Sequence, residues 1–96
     1  MDSTPANLAI LYYLRVCNGT AYKIGITNRS VSERFRTDMQ FIDVLETWHF
    51  EHGADAMSAE RSIIKQFSTE KYVGDPLLSS GNSELFRYDV LELDTS

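Results

Sequence analysis

Apolar and polar positions alternate most clearly near the start of the chain. Leu8 to Val16 is an almost unbroken apolar and aromatic run, and Cys17-Asn18-Gly19-Thr20 interrupts it with a strong turn signal. Ala21 to Thr27 then alternates, with Tyr22, Ile24 and Ile26 on one side and Lys23, Gly25 and Thr27 on the other. The pattern predicts a β-hairpin. Ser30-Val31-Ser32-Glu33 has the form of a capping box, which opens a helix over about Val31 to Gln40. Val31, Phe35 and Met39 are spaced by four and form its apolar stripe, with Arg34 and Asp38 beside it.

The run from Phe41 to Phe50 is rich in β-branched and aromatic residues and predicts a third strand. In it Val44, Glu46, Trp48 and Phe50 alternate with Leu45, Thr47 and His49. A second helix is expected over about Ala56 to Thr69, with Asp55 as its cap. Ala56, Ile63, Ile64 and Phe67 make its stripe, and Glu60 falls in line with it, four from both Ala56 and Ile64. A carboxylate on an apolar stripe costs desolvation unless something pairs with it. Lys71 to Ser83 carries Gly74, Pro76 and Gly81 and reads as a long loop. Glu84 to Val90 alternates again and predicts a last strand, with Asp94-Thr95-Ser96 as a frayed tail. The expected fold is a single α/β (α+β) domain over residues 1–96 with a core over about 8–90.

Composition narrows the function. A chain of 96 residues, 43% of them hydrophobic, can close one core without disulfides or structural metal. Cys17 is the lone cysteine, so no intrachain disulfide forms, and Met1 to Ala6 is polar, unlike a signal peptide. Both features fit a soluble protein of a reducing cytoplasm, with no membrane partner. The net charge is −5, but it is unevenly spread. Between Arg15 and Arg36 stand five basic residues and one acid; from Thr37 onward four basic residues face twelve acids. One basic third can hold a phosphate, while the remaining surface repels a long duplex.

Phosphodiester hydrolysis needs an activated nucleophile, positive charge around the phosphorus and usually a divalent cation. The sequence offers a group for each task. Glu60 can bind Mg²⁺ or Mn²⁺ through oxygen, with water and phosphate completing the shell. Arg34 can clamp the scissile phosphate with its planar fork of donors, and Arg36 lies in the same basic stretch as a further substrate contact. Tyr12 and Lys23 can orient or deprotonate a water, while Gly25 lets substrate approach the strand.

Tyr12, Lys23-Ile24-Gly25 eleven positions later, Arg34, Glu60 with Phe67 behind it, and Gly81-Asn82-Ser83-Glu84-Leu85-Phe86 together resemble the GIY-YIG endonuclease domain. The form resembled has Lys-Ile-Gly as its second motif, a kind found in phage-encoded and bacterial proteins, and the likeness runs from Leu8 to Val90. It implies a three-stranded antiparallel sheet flanked by helices, here with a short C-terminal strand, and one metal held by Glu60. It further implies Arg34 as the phosphate clamp, Tyr12 as base or water-orienting group, Lys23 in place of the second motif tyrosine, and Asn82 as a polar residue shaping the site. Ile10 or Leu11 stands where the first motif has glycine; Tyr13, beside Tyr12, is the other candidate for its tyrosine. Asp38, four after Arg34, could pair with it and compete for it, or instead support the site from behind. The activity implied is metal-dependent DNA cleavage in a bacterial or phage-infected cell, aided by a homodimer or a targeting protein. The alternative is a catalytically altered binding module or regulator that retains the fold.

Overall fold

The computed structural model describes residues 9–79 and 81–95; the readings of Met1 to Ala6, Leu8 and Ser96 lie outside them. Its elements are β1 (Ala9–Val16), β2 (Ala21–Thr27), α1 (Val31–Arg34), β3 (Ile42–Phe50), α2 (Gly53–Gln66) and β4 (Leu85–Phe86). The four strands form one sheet of order β3-β1-β2-β4 in which every neighbouring pair is antiparallel. The domain is α+β, and β4 extends the expected three-stranded sheet to four strands. Among the described residues, no helix is long and apolar enough to cross a membrane.

The predicted hairpin forms with Tyr12 opposite Gly25, Tyr13 opposite Ile24 and Leu14 opposite Lys23. Because side chains alternate, Tyr12, Leu14, Lys23 and Gly25 share one face, and Leu11, Tyr13, Tyr22 and Ile24 share the other. Each face has its own core. On the first, Tyr12, Leu14 and Val16 pack with Phe35 beyond α1, Ile42 and Leu78. On the second, Leu11, Tyr13, Ile24 and Phe86 pack with Ile63, Ile64 and Phe67 from α2 and its end.

Several expectations are corrected. The first helix is one turn, not ten residues: the capping box of Ser30 and Glu33 is present, but Phe35 leaves helical geometry at φ −116°, ψ 36°. The chain continues through three-residue turns, Asp38 N–H to Phe35 C=O and Phe41 N–H to Asp38 C=O. That shorter period carries Asp38 inward, 5% exposed, and leaves Met39 outside, 37% exposed. α2 starts earlier than expected, after His52, so Asp55 lies in its first turn, where a negative charge favours the helix dipole, instead of capping it. The last strand is two residues long because the chain turns away after Phe86 and Asp89 gathers it. The Asp89 carboxylate accepts from the Tyr13 hydroxyl at 2.7 Å and from the backbone N–H groups of Leu93 and Asp94.

Asp94 is likewise not frayed. It accepts from the Tyr22 hydroxyl at 2.7 Å and from Arg15 at 3.1 Å. In β3 the pairing with β1 shifts between Tyr13 and Leu14, whose partners are Glu46 and Val44. This bulge puts Leu45 in the same core as Trp48 and Phe50, breaking the strict alternation expected there.

The buried phenols give the domain an alkaline limit. Burial pushes Tyr13 far up, aided by its bond to Asp89, and the Asp94 bond followed by burial pushes Tyr22 up to about 12. An unfolded tyrosine ionises near about 10. Their contribution is therefore complete below that pH and is lost as pH rises toward the folded values. Unfolding is expected to begin near about pH 10 and to show together in circular dichroism and phenolate absorbance. Phenolate absorbance amounting to all five tyrosines at unchanged dichroism would contradict this.

Candidate active site

Four elements contribute to one cluster. Tyr12 comes from β1, Lys23 and Gly25 from β2, Arg34 from the end of α1 and Glu60 from the middle of α2. The Tyr12 ring lies directly over Gly25: a methyl built there would stand 2.5 Å from Tyr12 Cζ and 2.9 Å from Cε1. Phe35 supports the ring edge-on, with centroids 5.5 Å apart. Gly25 is thus needed so that Tyr12 can lie flat on the hairpin.

The structure separates the two adjacent tyrosines. Tyr13 faces the opposite core, stacks on Tyr22 and donates to Asp89, whereas Tyr12 feels the charges of Arg34, Glu60 and Glu84. Burial pushes Tyr12 up to about 12; Arg34 opposes this, and Glu60 and Glu84 reinforce it. Tyr12 is therefore a neutral phenol at physiological pH.

Lys23 is 3% exposed. Its ammonium donates to the Ser83 carbonyl at 2.9 Å and pairs with Glu84 at 3.6 Å. Burial lowers its pKa, Glu84 raises it, Arg34 lowers it again and Glu60 raises it. Arg34 lies over the Phe35 ring, 4.8 Å from its centroid, and beside Gly81, where a Cβ would come within 3.1 Å of Nη2. Gly81 has φ +72°, so both its conformation and its nearness to Arg34 call for glycine.

Asp38 does not hold Arg34. Its carboxylate accepts from Ser79 N–H and from Ser79 Oγ at 2.8 Å, pinning the 75–83 loop to the turn after α1. Among the described residues Arg34 makes no ion pair. Asn82 organises the same loop: Oδ1 accepts from the N–H groups of Leu77 and Leu78, and Nδ2 donates to Leu78 C=O. Arg36 is exposed, two residues beyond Arg34 and outside the cluster's contacts.

Comparison with protein-family models, with curated proteins and with solved structures finds no match. The site is therefore read from its own geometry. Glu60 is partly buried on α2, and burial followed by the Glu84 charge raises its pKa, with Lys23 and Arg61 opposing. A carboxylate so placed is costly when ionised, and a hard divalent cation relieves that cost. Among the described residues no group of three or more His, Cys, Asp or Glu could hold a metal. Glu60 alone could supply only one or two of the oxygens a divalent cation takes, the rest having to come from water and phosphate.

Glu84 is the member of the cluster that sequence reasoning missed. It reads as the start of a strand, but it stands at φ +54° just before β4, and its C=O accepts from Ile24 N–H. Only the antiparallel return of Leu85-Phe86 along β2, seen in the structure, places the preceding residue beside the Lys23-Ile24-Gly25 motif.

Proposed function

We propose that this chain is a metal-dependent DNA endonuclease of the GIY-YIG kind, which hydrolyses a phosphodiester by one-step attack of water. The reading rests on one observation: Tyr12 and Arg34 both pack on the Phe35 ring, and Arg34 and Lys23 both border Gly81, while the Glu60 charge bears on Tyr12 and Lys23. Separation of the four around the fold would have left each an ordinary surface or core residue.

In this mechanism Arg34 binds the scissile phosphate through its guanidinium, which Phe35 and Gly81 position and which makes no ion pair among the described residues. Neutral Tyr12 orients the attacking water by hydrogen bonding. Lys23, whose ammonium is held by the Ser83 carbonyl and Glu84, sets positive charge beside that water and assists Tyr12 in orienting it, and the water's proton passes to solvent as it attacks. Held at Glu60, Mg²⁺ or Mn²⁺ would supply positive charge to the phosphate oxygens and the departing 3′ oxygen.

Incubation with supercoiled plasmid and Mg²⁺ or Mn²⁺ tests the reading. Nicking is expected for wild type, and Arg34→Ala should be slower by about 10²-fold, the usual cost of removing one charge-stabilising donor. Identical traces from the two proteins would end the proposal.

One feature favours a binding module acting through a protein or nucleic-acid partner. The Lys23 ammonium is enclosed and already held by Ser83 and Glu84, so phosphate must displace a contact to reach it. Tight DNA binding that is unaffected by metal and leads to no nicking would decide for that second reading.

A further inference from the structure

Beside the cluster lies a cleft of about 240 Å³, lined by Ile64, Lys71, Tyr72, Asn82, Ser83 and Glu84. We propose that it is a subsite for one unpaired nucleobase next to the scissile phosphate. The inference rests on the nuclease reading for the position of that phosphate.

Size sets the first limit. Clefts for drug-sized ligands run from about 300 Å³ upward, so this one suits a single planar ring system and excludes a base pair. Chemistry sets the second. Ile64 and the Tyr72 ring supply apolar surface for the faces of a heterocycle, and Tyr72 is steadied by its hydroxyl donating to the Asp75 carbonyl at 2.9 Å. At the edges Lys71 only donates and Glu84 only accepts, while the Asn82 amide keeps one N–H beyond its loop bonds. A base edge presents both acceptors and donors, whereas a bare phosphate would meet Glu84 with like charge.

Position supplies the third argument. Ile64 is one helical turn past Glu60 on the same side of α2, and Glu84 lines the cleft while pairing with Lys23 at 3.6 Å. The cleft and the phosphate cluster therefore adjoin through Glu84, as a base and its own phosphate do along one strand. A stacked, paired base cannot enter, so the substrate is DNA with a bulged, flapped or flipped nucleotide. Selection of an unpaired base also fits a chain whose acidic two-thirds disfavours long contact with a duplex.

The test uses the full chain and a bulged oligonucleotide carrying a fluorescent adenine analogue, with the analogue either unpaired or paired. Glu60→Gln protein is expected to quench the unpaired analogue and leave the signal of the paired one unchanged. Tyr72→Leu should weaken binding of the bulged strand about tenfold, in the range of one lost base–aromatic stack. Lys71→Ala removes only an exposed side chain, so it keeps the test decisive should Tyr72→Leu not fold, and it should lower the preference for bulged over paired DNA. Equal quenching in both contexts, or an unchanged preference in Lys71→Ala, overturns the subsite. Metal-dependent nicking without preference overturns the subsite alone, whereas quenching of the unpaired base without any nicking by wild type overturns the nuclease reading.

Discussion

Glu60→Gln is expected to lower metal-dependent nicking by about 10³-fold or more while leaving the melting temperature at neutral pH equal to wild type or above it. The two effects have one cause. Burial and the Glu84 charge raise the Glu60 pKa above its unfolded value, so the ionised group is a liability to the fold. A group shifted in this direction contributes its full stability below the unfolded pKa, near about 4.3, and loses it as pH rises through the folded pKa. Glutamine keeps the shape without that dependence. The stability advantage of Glu60→Gln should therefore close as pH falls toward about 4.3. A carboxylate kept only for a structural ion pair would behave oppositely, its amide melting lower at neutral pH. Thermal melts at several pH values beside the nicking assay separate the cases.

Gly25→Ala is expected to destabilise the domain and remove activity together. The added methyl would lie within the volume of the Tyr12 ring, 2.5 Å from Cζ, and Tyr12 is only 2% exposed. The ring has nowhere easy to go, since Phe35 packs against it edge-on. Overpacking of this kind costs roughly 1–3 kcal/mol, whereas relief of glycine's backbone entropy returns about 0.5–1 kcal/mol. Overpacking wins, and each lost kcal/mol lowers the melting temperature of a domain this size by about 4–8 °C. The displaced hydroxyl also leaves the cluster. A variant with wild-type melting and wild-type nicking would refute the close approach.

The hairpin was legible because it is local: alternation and Asn18-Gly19 are enough to align Tyr12 with Gly25. The end of α1 was not, because Phe35 and Asp38 are set by partners distant in sequence. Asp38 is drawn inward by Ser79, a contact no helical period could announce. The same holds for the last strand, cut short where Asp89 turns back to Tyr13. At the site, Tyr12, Lys23, Arg34 and Glu60 could be listed from the sequence. The choice between Tyr12 and Tyr13 needed to know which face Phe35 and Arg34 cover. Glu84 stayed hidden because a loop acid before a short strand has no pattern of its own.

The bulge in β3 gives this strand a reserve the hairpin lacks. Its extra residue keeps Ile42 opposite Val16 and Asp43 opposite Arg15, to which it is salt-bridged at 2.9 Å. Loss of one residue between Val44 and Trp48 would straighten the strand and leave those pairings in phase. The same loss in β1 or β2, where the hairpin register has no slack, would turn core positions to solvent. A one-residue deletion is therefore expected to be tolerated at the β3 bulge and not in the two strands that carry Tyr12, Lys23 and Gly25.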